Sequence, residues 1–427
     1  MGAVMQKQLR CLLVCTLLWA PGREAARAAE AITLEQAVGE ALQKNLALLA
    51  ERANIAIAEA RLITARLRPN PVFSAGGDHL DLLGTGFNEF NAAGPAEFSL
   101  RTDFIHERGG KRRSRVEVAQ TSLSVAELEF LNAVRCLRLE VQSAFVDALL
   151  ARENLALARQ NLESFNRIVD INTVRLKAGD LAEVELIRSR LAALQQANAV
   201  RRAEIALHSA LIKLQSLMGR TRFTAEIQVA GELRRDGAVP DLEALRQTAL
   251  ENRPDLRALR RDAERAAAAL RLELARGKVD FTYGTEYRRQ QGLAGTGNML
   301  GFFFSAPLPV FDRNQGEIER ARQEQRQTEL RIRALEASIA AELENAYQQF
   351  AASRSLLERI ETRMLTQARE VREIIEYSYR RGEASLLELL DAQRAFNDTM
   401  QAYNEARAEY ARNLYLLEAL AGKEIAR

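Results

Sequence analysis

The chain has 427 residues, with 60 Lys and Arg against 57 Asp and Glu and a formal net charge of +3. A balance this even lacks the basic face of a dedicated nucleic-acid binder, so no nucleic-acid partner is expected. Three cysteines and three histidines are too few for a disulfide framework or a Cys/His metal centre. A mean hydropathy of −0.22, with no internal apolar run near twenty residues, excludes a bundle of membrane-crossing helices.

In chain order, Lys7 and Arg10 precede a short apolar stretch, Cys11 to Ala20. Pro21-Gly22 and the small-residue site Ala26-Arg27-Ala28 follow. This pattern reads as a secretory signal peptide over residues 1–28, because the stretch falls well short of the ~20 residues of a bilayer-crossing helix. Lipidation at Cys15 is the lesser reading, since bulky Val14 precedes it and the apolar run continues past it. Cleavage near Ala28 leaves Cys136 as the one cysteine of the exported chain.

Beyond the leader, glycine and proline punctuate a repeat. Proline is absent from Ala96 to Val239 and from Val310 to Arg427, and glycine from Lys111 to Ala178 and from Glu317 to Arg381. Single glycines, Gly179 and Gly382, then open two equally long Gly- and Pro-free runs that end at Gly219 and Gly422. An offset of 203 pairs Gly179 with Gly382 and Glu185 with Glu388, and one of 208 pairs Leu34-Glu-Gln-Ala with Leu242-Glu-Ala-Leu. The chain is a tandem duplication: repeat 1 over 29–220, a linker over 221–240 and repeat 2 over 241–427.

The breaker-free runs are rich in strong helix formers, with apolar residues at helical spacing (Leu207, Leu211, Leu214 and Met218; Tyr410, Leu414, Leu417 and Ala421). Each repeat is expected to hold an opening helix (Leu34–Leu67, Leu242–Arg276), a long helix (111–176, 315–380) and a second helix (181–218, 383–421). At 1.5 Å per residue the long helices are rods of about 100 Å. One such rod can be matched by two shorter helices stacked end to end. This much also fits a soluble periplasmic coiled-coil scaffold.

What interrupts the helices separates the readings. Most aromatics outside the rods fall in two windows, Pro69–Gly110 and Val279–Phe311. There Phe98, Leu100, Thr102 and Phe104, and Val279, Phe281, Tyr283, Thr285 and Tyr287, alternate with polar residues at the period of a strand. A β-hairpin is expected over about 70–108 and another over about 279–309, four strands per chain, two of them (Val72–Leu80 and Met299–Leu308) alternating poorly. Four strands cannot close a barrel and open edges are forbidden in lipid, so lipid-facing strands would have to be pooled among copies.

The duplication, Arg-Pro-Asn-Pro at 68–71, Glu107-Arg-Gly-Gly-Lys-Arg112 and Pro307-Leu-Pro-Val-Phe-Asp-Arg-Asn-Gln-Gly316 resemble the TolC family of outer-membrane efflux channels. Within it the chain is most similar to the branch serving heavy-metal (cobalt–zinc–cadmium) RND pumps. The resemblance implies a mainly α fold with a small β part: a long antiparallel α-helical coiled-coil barrel and four transmembrane β-strands per chain. A homotrimer would then form a transmembrane β-barrel in the outer membrane of a Gram-negative bacterium above a periplasmic tunnel. Its partners would be outer-membrane lipid, a periplasmic adaptor (membrane fusion protein) and an inner-membrane RND pump.

The resemblance also places the gate of the closed tunnel at Tyr379, Glu388 and Asp391, and the 203 offset makes Glu185 and Arg188 the repeat 1 counterparts of Glu388 and Asp391. Each carboxylate would become a ring of three that attracts cations, and Arg188 could link to Asp391 of a neighbouring hairpin. Ala384 stands where a gating arginine is often found. The tips Lys177, Gly179, Arg381, Gly382 and Glu383 would meet the adaptor. No catalytic residue, cofactor or metal site is expected: Asp78, His79, Asp81, His106 and Glu107 do not converge, Gly109-Gly-Lys111 lacks the rest of a phosphate loop, and Cys136 reads as a packed residue. Arg108, Lys111, Arg112, Arg113 and Arg115 read as marking a lipid headgroup level. The implied function is a passive exit duct for heavy-metal cations, with drugs, other organic solutes or secreted proteins as the alternative cargo.

Overall fold

The computed structural model describes residues 30–80, 82–84, 86, 96–224, 227–235, 241–292 and 295–423. The leader with Cys11 and Cys15, and the loop residues Asp81, Phe87 and Phe90, lie outside these. Each half opens with two helices rather than one: α1 (Leu34–Lys44) and α2 (Leu46–Arg66), then α5 (Leu242–Asn252) and α6 (Pro254–Arg276). The break has a local cause in each half. Asn45 is extended and caps α2 by accepting the Leu48 N–H, whereas Pro254 opens α6 at its first position, where a missing N–H costs nothing.

The long rods are α3 (Lys111–Ala178) and, in the second half, α7 (Gln315–Arg359) and α8 (Leu365–Arg381), joined without a break by a π-helical turn, Ile360–Met364. Each rod starts after a left-handed residue, Gly110 or Asn314, and ends at a left-handed glycine, Gly179 or Gly382. The return helices are α4 (Glu183–Leu217) and α9 (Leu386–Ala421). Glycine closes α4 for a steric reason: a Cβ on Gly219 would stand 2.3 Å from the Lys44 carbonyl oxygen. The end of α4 thus abuts the α1–α2 joint, and Asn45 Nδ2 donates to the Leu217 carbonyl across it at 2.9 Å. Gly422 abuts Arg253 in the same way.

Packing runs in the order α4, α3, α9, α8 across the lower part of the molecule. Two apolar cores lie higher up, one per half. The first gathers Ala37, Val141, Phe145, Leu149, Leu214 and Met218. It includes a short parallel pair, β1 (Glu30–Ile32) with β4 (Ile227–Val229), which ties the start of the described chain to the linker. The second centres on Leu256, Ile339, Phe350, Leu414 and Leu417, with Phe350 against Tyr410 at 5.3 Å.

The strands β2 (Val72–Asp78), β3 (Glu97–His106), β5 (Phe281–Gly292) and β6 (Gly295–Ser305) form one antiparallel sheet in the order β2-β3-β5-β6. Phe73, Phe98, Leu100, Phe104, Tyr283, Tyr287, Phe302 and Phe304 share one face, with Phe104 stacked on Tyr283 at 5.7 Å. The other face carries Arg101 on Asp103 at 2.9 Å and Arg288 on Glu286 at 2.9 Å.

This sheet corrects the expected fold class. It is open, with β2 and β6 as free edges, and β2 has 7 residues where a membrane-crossing strand needs about 9–11. The helices likewise form a layered bundle rather than a closed ring. The chain is a mainly helical protein with a small open sheet, and the transmembrane β-barrel with four staves per chain is set aside. Among the described residues no helix is long and apolar enough to cross a membrane.

Candidate functional site

The sequence-derived site residues gather at the end of the molecule away from the sheet, where α3 turns into α4 and α8 into α9. Both turns are Schellman motifs. The Gly179 N–H donates to the Leu176 carbonyl at 3.0 Å and the Asp180 N–H to Arg175 at 2.9 Å; Gly382 and Glu383 donate to Tyr379 and Ser378 in the same way. Left-handed φ values of 83° and 78° are what glycine tolerates there. Lys177, Arg381 and Glu383 are exposed around these tips, and the Arg381 guanidinium lies 4.6 Å from the Tyr377 ring centroid.

Tyr379 is the buried centre of this end, 3% exposed. It belongs to a buried cluster with Phe165 and Ile168 of α3, Ala193 of α4 and Leu386 and Leu389 of α9. Its hydroxyl donates to Asn172 Oδ1, so α8 is tied to α3 across the two halves. The Arg175 guanidinium stands 5.4 Å from the ring centroid. Burial is the main cause that raises the Tyr379 pKa, with the Glu185 charge adding to it and Asn172 and Arg175 opposing. Asn172 is fully buried, and among the described residues its Nδ2 has no hydrogen-bond partner. Sequence reasoning missed Asn172 and Arg175. A signal was available: Asn172 continues the stripe of Phe165 and Ile168 at helical spacing.

The two acidic positions differ. Glu388 belongs to a capping box at the start of α9: its N–H donates to Ser385 Oγ, and its carboxylate accepts from the Ser385 N–H at 2.7 Å. That backbone bond, helped by the Ser385 hydroxyl at 2.9 Å, holds its pKa below the usual carboxylate range. The counterpart of Ser385 is Ala182, which makes no cap, so half-buried Glu185 has no such role. Asp391 is exposed, 3.7 Å from Arg394 on its own helix. Arg188 is exposed on α4, and α3 and α9 lie between α4 and α8. Within one chain the Glu185 charge acts on Tyr379, whereas Arg188 and Asp391 sit on α4 and α9, which each pack on α3.

The outermost helices carry unpartnered stripes. On α4, Val184, Ile187, Leu191 and Leu194 are exposed at alternating spacings of three and four, whereas Leu186, Ser189 and Ala193 are buried on α3. On the other flank Met364, Val371 and Ile374 are exposed along the π turn and α8. Among the described residues no helix covers these stripes, whose spacing suits the seam of a coiled coil.

Comparisons with known proteins agree with this architecture. The chain is 27% identical to the cobalt-zinc-cadmium resistance protein CzcC of Cupriavidus metallidurans, over 86% of this chain and 84% of that protein. It is 25% identical to the pyoverdine export outer membrane protein OpmQ of Pseudomonas putida, over 82% and 77%. Its fold is similar to the Campylobacter jejuni CmeC outer membrane channel, with a TM-score of 0.75 at 17% identity over 91% of this chain and 85% of that one. The outer membrane efflux protein family matches both halves, at residues 37–220 and 245–423. The chain therefore belongs to the outer membrane efflux protein family, as an outer-membrane channel protein of a Gram-negative bacterium whose tunnel extends into the periplasm, and it is not an enzyme.

Proposed function

We propose that three copies of the chain form the exit duct of a tripartite RND-type efflux system, and that the duct is passive. The observation that carries the reading is the pair of unpartnered seams on α4 and α8. They lie on opposite flanks of one layer, so α4 of one copy meets α8 of the next in a head-to-tail contact that closes by rotation. The tips at Gly179 and Gly382 are the docking points for a periplasmic adaptor, and the Tyr379 cluster holds the tunnel closed. In that ring Arg188 of α4 faces the neighbour's flank, where a contact with Asp391 would add to the closed state.

Selection of cargo lies with the pump, and organic solutes are the cargo class we assign. The support is the relative named for export of pyoverdine, an organic solute. Metal cations are the second reading, favoured by the relative named for cobalt, zinc and cadmium resistance. The test uses a host stripped of its own exit channels and supplied with this chain and its cognate pump and adaptor. Restored efflux of an organic dye, with no gain in cadmium or cobalt tolerance, is the expected result. Metal tolerance alone would move the assignment to the second reading, and restoration of neither would overturn the duct.

A further inference from the structure

We infer that the junction between the sheet and the rods holds a binding site for the phosphate headgroup of an anionic glycerophospholipid. A cavity of about 560 Å³ opens there, its lining including Arg68, Phe104, Glu107, Arg112 and Tyr283. Its chemistry is divided. Phe104 and Tyr283, stacked on each other, belong to the exposed apolar face of the sheet, and Arg68 and Arg112 supply cations to the same lining.

The local fold explains why those two cations are available. Arg112 Nε donates to the Arg66 carbonyl at 2.7 Å and Arg115 Nη2 to Leu67 at 3.0 Å, so the first turn of α3 caps the last turn of α2. Arg112 thereby uses one donor and keeps its two terminal nitrogens. The acids nearby are already matched: Arg115 takes Glu107 at 2.6 Å, and Lys111 takes Asp280 at 2.8 Å. Among the described residues neither Arg68 nor Arg112 makes an ion pair. Arg68 is set in an extended segment because prolines follow at 69 and 71.

Two unmatched guanidinium groups at the mouth of a cavity present the planar forks that suit phosphate oxygens. The aromatic stack beside them offers an apolar surface for the first part of an acyl chain. A free phosphate ion would use the forks and leave the stack wet, so the combination favours the lipid. The uncapped first turn of α3, whose N-cap Gly110 makes no side-chain bond, adds the positive end of a helix dipole to the same region.

The experiment measures lipid retained by the detergent-purified full chain after incubation with mixed micelles of phosphatidylglycerol, read by native mass spectrometry. The wild-type chain is expected to keep phosphatidylglycerol in the presence of excess inorganic phosphate. Arg68→Gln and Arg112→Gln should each lower retention about fivefold, and Arg112→Lys should restore part of it. Arg68 makes no hydrogen bond or ion pair with the described residues, so Arg68→Gln tests the site without disturbing the α2–α3 contact. Equal retention by Arg68→Gln and wild type would overturn the proposal, as would displacement of the lipid by inorganic phosphate, which would mark a free-anion site. Efflux by Arg68→Gln stays at the wild-type level, so failure here is separable from failure of the duct.

Discussion

At the residue scale, Tyr379 and Ser385 do different work although they sit six residues apart. Tyr379→Phe removes the one hydrogen bond seen on the Asn172 side chain and leaves a fully buried amide unpaired. The expected cost is about 1–3 kcal/mol, read as a lower unfolding midpoint, with increased ion leak through the closed duct in planar bilayers. Ser385→Ala removes a cap and should destabilise the start of α9 by about 1 kcal/mol, read as faster amide exchange over its first turn. Its partner Glu388 has a lowered pKa in the folded chain, so the cap is fully present above the unfolded carboxyl value of about 4.3 and fades as pH falls through the lower folded value. The Ser385→Ala difference should therefore shrink in acid and hold at neutral pH. Glu40 follows the same sign: its hydrogen bond with Arg220 lowers its pKa against burial, so that link weakens only in acid.

At the element scale, the joints between paired helices carry more weight than the helices themselves. Arg253 is 4% exposed at the α5–α6 joint, with Asp255 at 2.6 Å and Glu342 of α7 at 2.9 Å. Arg253→Ala leaves half-buried Asp255 with only the longer Arg135 contact at 3.6 Å and should cost about 2 kcal/mol by chemical denaturation. The joint was legible only in part. Asn252-Arg253-Pro254 marks a break in plain view, yet apolar residues run on at helical period through both sides and suggest one helix. Gly179 and Gly382 were readable as turns, because nothing but glycine punctuates those runs and each takes a left-handed φ. Alternation in β3 and β5 revealed the strands, whereas the openness of the sheet depends on which edges find partners, and no residue pattern within one strand encodes that. Asn172 was missed for a related reason: its partner Tyr379 is 207 positions away.

At the scale of the whole molecule, the flanking seams predict how copies meet. Leu191→Glu puts a charge in the α4 seam, where it would face Val371 and Ile374 of a neighbour. The proposed trimer should weaken at least about tenfold, read by light scattering in detergent, while the fold of the single chain, to which exposed Leu191 contributes little, is retained. The duplicated halves are also mechanically unequal. The first rod is one unbroken α-helix of 68 residues, whereas the second is made of segments of 45, 5 and 17 residues with the widened turn between them. A π turn is a local defect in the hydrogen-bond ladder and a natural place to bend. In an assembly of three, stiff struts and jointed struts therefore alternate, so its elasticity is threefold even where its outline approaches sixfold. A push along the axis will be taken up at three knees, each at Ile360–Met364, and the ring will narrow or dilate as a triangle rather than as a circle.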